Sequence, residues 1–239
     1  MRARIVAPLV AAVIGIAGGT VTAIATVDSP DDGPATTVDD PLGLGIPLVN
    51  LDCAPGDGIL ILGTGDTSGA LFAAKAENPS GDPRYLATAE SCDTVYGPER
   101  FDPDDYVVYL GPFDGLVEPC TMRMDPDRRG DFVTALQAGN TDSVKCVCVL
   151  PPSADRPTLR VGMEATDANA VWVRSLQGMF VDADEELSRR EFITGVYDQR
   201  TADRVIEFQE ASNNRFERGV VDDRTWGLLT GKLCPKYDF

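Results

Sequence analysis

Gly195-Val196-Tyr197-Asp198-Gln199-Arg200-Thr201 recurs 24 residues later as Gly219-Val220-Val221-Asp222-Asp223-Arg224-Thr225, and this duplicated heptad decides how the C-terminal part of the chain folds. In each copy the glycine admits a tight turn. The aspartate three positions on can accept hydrogen bonds from the free amides that open a helix. Apolar residues then recur at helical spacing: Val205 and Phe208 share a face with Thr201, and the second copy leads into Trp226, Leu228 and Leu229. An earlier helix over 171–179 supplies Val173, Leu176 and Gln177. Residues 168–239 are thus expected to form three short helices around one small core. Leu176, Val205, Phe208 and Trp226 fill that core, and Gln177 and Gln209 are polar tips at the helix junction.

Upstream, Pro151, Pro152 and Pro157 interrupt the chain and mark residues 151–167 as a linker. Residues 51–150 carry seven basic and seventeen acidic residues and alternate strand-like with helix-like runs. The runs are 59–64 (strand), 66–76 (helix capped by Asp66), 84–89 (strand), 106–110 (strand), a helix capped by Asp114 that reaches past Met122, and 144–150 (strand). A βαββαβ order that packs two helices on one sheet face is the ferredoxin-like solution. By alternation, Tyr106, Val108 and Leu110 share one sheet face, and Val107 and Tyr109 the other. Residues 28–50 hold five aspartates, four prolines and no basic residue, the composition of an extended acidic linker.

The first 27 residues place Arg2 and Arg4 before an uncharged run from Ile5 to Val27. As a helix at about 1.5 Å per residue it would cross a hydrocarbon core of about 30 Å, so it can anchor the protein in a membrane. Ala23-Ile24-Ala25 equally suits signal cleavage and secretion. Either way the rest of the chain lies outside the cytoplasm. The expected class is therefore α+β: an N-terminal hydrophobic helix, a ferredoxin-like domain and a small three-helix domain.

The C-terminal residues resemble the peptidoglycan-binding domain 1 family. Val173, Leu176 and Gln177 match its opening motif, Gly195, Tyr197, Thr201, Val205, Phe208 and Gln209 its centre, and Gly219, Val221, Thr225, Trp226 and Leu229 its end. Thr194 stands where the family has aspartate, Asp198 and Asp222 replace turn glycines, and the 181–192 loop is longer and more acidic than usual. The resemblance implies a wall-binding helical fold with peptidoglycan, as glycan strand or stem peptide, for a partner. The turn before the central helix, Tyr197, Asp198, Gln199 and Arg200, is the candidate contact, an exposed aromatic beside hydrogen-bonding groups. The competing reading is that Asp198 and Thr201 only cap the helix.

Tyr106-Val107-Val108-Tyr109-Leu110-Gly111-Pro112-Phe113 resembles the second half of a SPOR domain, a resemblance covering about residues 57–150. It implies a βαββαβ layout with glycan bound on the sheet face away from the helices.

Cys53, Cys92, Cys120, Cys146, Cys148 and Cys234 are even in number, and outside the cytoplasm they are expected to form disulfides. Cys146 and Cys148, two apart on an expected strand, would share a face, and one of them is expected to join Cys120. Cys234 has to find its partner in the first domain. A C-x-C metal or redox site is the sharper alternative, but no second close pair accompanies it.

The net charge of −17 repels phosphate backbones and argues against a nucleic-acid partner. The absence of histidine removes Ser-His-Asp and Cys-His chemistry and histidine-ligated zinc. No cofactor, metal or catalytic residue is expected, and the leading expectation is a non-catalytic peptidoglycan binder of the cell envelope. The rivals are an adaptor for other envelope proteins built on the same folds, and a carboxylate-pair glycosidase drawing on Glu90, Glu99, Asp102, Asp104 and Asp105.

Overall fold

Ile59, Leu60, Ile61 and Leu62 run unbroken along strand β1 (Gly58–Gly65), buried on both faces of a sheet. The computed structural model describes residues 40–76, 81–93, 105–128, 130–139, 144–163, 167–184, 186–212 and 216–236. The hydrophobic leader and the acidic stretch as far as residue 39 fall outside them. Around β1 lie α1 (Ser68–Ala76), β2 (Arg84–Ala87), a 3-10 turn (Thr88–Glu90), β3 (Tyr106–Phe113), α2 (Val117–Arg123) and β4 (Phe132–Ala135). The sheet order is β2-β3-β1-β4 with every neighbouring pair antiparallel. The class is α+β, and α1 and α2 both lie against the sheet.

Alternation sorts the sheet residues as expected. Leu60, Leu62, Val108 and Leu110 join Leu71 of α1 and Leu116 and Cys120 beside and on α2 in one core. Ile59, Ile61, Val107 and Tyr109 face the other way.

Three expectations are corrected. The fourth strand is Phe132–Ala135, paired with β1 from Gly58 to Ile61, whereas Cys146–Val149 forms a short helix, α3. Asp114 does not cap α2, whose N-cap is Leu116 without a side-chain bond. The last part of the acidic stretch, 40–50, is no free linker: Leu44 and Ile46 are buried, and the backbones of Pro47 and Val49 hydrogen-bond Tyr85 of β2 at 3.0 and 2.7 Å. Those residues extend the sheet edge, which satisfies backbone groups that an edge strand would leave open. Asp40 fixes their start, accepting from Leu44 N (2.9 Å), Gly45 N (2.8 Å) and the Tyr85 hydroxyl (2.9 Å).

The C-terminal segment contributes α4 (Asp167–Ala183), a short α5 (Arg189–Phe192), α6 (Gln199–Glu210) and α7 (Asp223–Leu233). Its core holds Val173, Leu176, Val205, Trp226 and Leu229. Phe208 is half-buried and meets Phe180 edge-on at 6.0 Å.

The short helix α3 joins this bundle to the sheet. On a helix, residues two apart point in nearly opposite directions, so Cys146 and Cys148 do not share a face. Cys146 bonds Cys120 on the sheet side, with Cα atoms 4.9 Å apart, and Cys148 bonds Cys234 after α7, at 5.5 Å. Cys53–Cys92 is the third disulfide. Trp172 of α4 packs against both cores and meets Trp226 edge-on at 6.0 Å, and residues 38–239 form one compact unit.

Cys148–Cys234 spans 86 residues, so loop entropy alone assigns it about 4–5 kcal/mol. Replacing both cysteines with serine should lower the urea-derived unfolding free energy by roughly 3 kcal/mol or more. A loss under about 1 kcal/mol would show that side-chain packing, rather than the bond, joins the lobes.

Candidate functional site

Both heptads build the same device. Gly195 and Gly219 turn the chain at φ of 79° and 72°, values that favour glycine. Asp198 Oδ1 then accepts from Thr201 N (2.9 Å) and Thr201 Oγ1 (2.8 Å), capping α6. Asp222 Oδ1 accepts from Thr225 N (2.8 Å) and Oγ1 (2.9 Å), capping α7.

A buried glutamine on an earlier helix completes each turn. Gln177 of α4, 1% exposed, accepts through Oε1 from the amides of Thr194 and Gly195, each at 2.9 Å. Its Nε2 donates to Thr201 Oγ1 (2.9 Å) and Val196 O (3.1 Å). Gln209 of α6, 4% exposed, accepts from Gly219 N (3.0 Å) and donates to Val220 O (2.9 Å) and Thr225 Oγ1 (3.2 Å). Backbone groups that would otherwise sit unpaired in an apolar core are thereby satisfied. Trp226 adds an outside tie, its indole N–H donating to Pro157 O at 2.9 Å.

Of the four candidate contact residues, Tyr197 is corrected. It is 2% exposed, and its hydroxyl donates to Gly219 O at 2.9 Å, so it joins the two turns instead of facing a ligand. Burial drives its pKa well above the usual phenol value. The second heptad has Val221 in the same register, also buried. Asp198, Gln199 and Arg200 are exposed, and Val196 supplies the exposed apolar group beside them. Gln199 Nε2 donates to Asp203 at 2.8 Å, and the Arg200 guanidinium lies 5.3 Å from the centre of the Phe192 ring. The exposed turn therefore offers an amide, a guanidinium and a carboxylate edge, groups suited to hydrogen-bonded recognition.

The sheet face away from α1 and α2 is covered. Leu51, Cys92 and Leu136 lie over Ile59, Ile61, Val107 and Tyr109. The Tyr109 hydroxyl donates to Val49 O at 2.9 Å, and burial pushes its pKa up to about 12. The surface on which SPOR-like glycan binding was expected is thus occupied by this chain's own residues.

Cys53, Cys92 and Asp93 bring their ligand atoms within 4.8 Å of one another, but both sulfurs are consumed in a disulfide. Among the glycosidase candidates Glu90 is exposed and accepts from Asn50 at 2.7 Å. Asp105 takes part through its backbone carbonyl, which accepts from Thr88. Glu99, Asp102 and Asp104 lie outside the described residues.

The glutamine clamps have a signal in sequence, since Gln177 and Gln209 both stand in a helix that precedes a Gly-x-x-Asp-x-x-Thr turn. The signal is masked by unequal spacing, 18 residues from Gln177 to Gly195 and 10 from Gln209 to Gly219. No protein-family model, no curated protein and no solved structure matches this chain.

Gln177→Met keeps the volume and removes the amide, leaving the buried Gly195 N–H unpaired and the Thr194 N–H with only the Phe192 carbonyl. The expected loss is about 3 kcal/mol in chemical denaturation; a loss below about 0.5 kcal/mol would show that water replaces the clamp.

Proposed function

We propose that this is a non-catalytic cell-envelope protein that binds peptidoglycan through its C-terminal helices, using the exposed part of the first turn: Val196, Asp198, Gln199 and Arg200. The observation that carries the reading is the doubled glutamine-clamped turn, in which the residues matching the wall-binding pattern occupy equivalent places twice. The three disulfides fit an oxidising compartment. Among the described residues no helix is long and apolar enough to cross a membrane; anchorage, or release after cleavage, belongs to the leader. The finer description of the sheet as ferredoxin-like rests on its order β2-β3-β1-β4, in which β1 separates β3 from β4 and β3 separates β1 from β2.

A second reading is favoured by burial. Tyr197, Thr201, Gln177, Gln209 and Trp226 all lie in the core, so the motif carries fold more than contact, and the bundle can serve as a scaffold for an envelope protein partner. The covered sheet face leaves the SPOR-like resemblance as a statement of layout, and no glycan contact is assigned to it.

Co-sedimentation of the oxidised full chain with purified sacculi separates the two. Wall binding predicts saturable pelleting, weakened at least five-fold by Arg200→Ala and Gln199→Ala together. Pelleting that is absent, or unchanged in the double variant, would reject this turn as the contact. Loss of sacculus turbidity would instead reveal an enzyme.

A further inference from the structure

Between the two lobes lies a cleft of about 270 Å³, walled by α2 and β4 on one side and by α4 on the other. Its lining includes four cations, Arg123, Lys145, Arg174 and Arg189, against one carboxylate, Asp182. Two of the cations are already engaged. Lys145 Nζ is 2.8 Å from Asp182 Oδ2, and Arg189 pairs with the other oxygen of the same carboxylate.

The remaining two are not neutralised in this way. Arg123, at the end of α2, has an Nη1 that is buried and without a hydrogen-bond partner among the described residues. Burial pulls its pKa down, Asp131 opposes that, and the nearby charge of Arg174 adds to it. Arg174 reaches its position by lying across the first turn, where the missing side chain of Gly195 leaves room for its Nε and Cζ. Both guanidiniums line the same recess, Asp131 offsets only Arg123, and an anion between the two would relieve their repulsion. A guanidinium is a planar fork of donors that stays charged at any physiological pH, and it matches the two oxygens of a carboxylate or phosphate.

We propose that this cleft is an oxyanion site, in which Arg123 and Arg174 together hold the carboxylate or phosphate group of a ligand. The apolar part of the lining, Met124, Val144 and Ile193, suits the aliphatic portion of such a ligand, as in the C-terminal residue of a short peptide. The protein's net charge of −17 works against anion approach at long range. That field is screened beyond about 8 Å at physiological ionic strength, whereas the recessed pair is not. The proposal stands on the cleft and does not depend on the wall-binding reading.

Its test is calorimetric titration and thermal melting of the oxidised full chain in mild detergent at constant ionic strength. The probes are N-acetyl-alanyl-alanine, the same dipeptide with its carboxyl amidated, and inorganic phosphate. Saturable binding of the free-acid dipeptide but not the amide assigns a carboxylate site, and binding of phosphate alone assigns a phosphate site. Either supports the proposal provided that Arg174→Gln weakens binding at least ten-fold, Arg174→Lys weakens it less, and the exposed Lys232→Gln leaves it unchanged. Arg174 is preferred for substitution because Arg123 sits deeper and its loss can unfold the protein. Binding of none of the probes, or equal binding by wild type and Arg174→Gln, overturns it.

Discussion

A tight glycine turn that leads into a helix leaves backbone N–H and C=O groups aimed at whatever packs against it, and in a small bundle that neighbour is an apolar side chain. Here a glutamine on an earlier helix takes those groups, Gln177 at the first turn and Gln209 at the second. Each amide is nearly inaccessible to water, so its bonds cannot be exchanged for solvent bonds at little cost. The rest of the bundle follows from that arrangement. The turns hold Asp198 and Asp222 in capping position, the caps start α6 and α7, and Tyr197 links one turn to the other.

The bundle does not stand apart from the sheet. The four-residue helix α3 sends Cys146 to one lobe and Cys148 to the other, and Trp172 touches both cores. Arg156 strengthens the same corner by donating to Leu150 O at 2.9 Å at the end of α3, where helix carbonyls carry partial negative charge. With the lobes tied here, the cleft beside α4 keeps a defined shape, and a pair of arginines can be held in it against their mutual repulsion.

Local features were legible in the sequence, and of the non-local ones only the coarse disulfide pairing was. The caps at Asp198 and Asp222, the helix faces of Val205 and Trp226, a bond from Cys120 to Cys146 or Cys148 and a partner for Cys234 in the first lobe follow from spacing and count; which of the two cysteines Cys120 takes does not. Val144–Leu150 reads as a strand because valine and cysteine favour extended backbone. Two disulfides pointing in opposite directions override that preference, and the short Phe132–Ala135 takes the edge position instead. Tyr197 reads as exposed because turn side chains usually are; its partner, the carbonyl of Gly219, is 22 residues away and no local pattern announces it. The same holds for the cover over Tyr109, to which Val49 contributes although composition alone placed it in a linker.

Amide hydrogen exchange at Gly195 and Gly219 in the oxidised protein tests the clamp most directly. If the glutamine amides hold both turns, these two N–H groups exchange only through global unfolding, as slowly as the middle of α6. Exchange at rates typical of exposed loops would contradict it, and the bundle would then have to be held by its apolar core and disulfide alone.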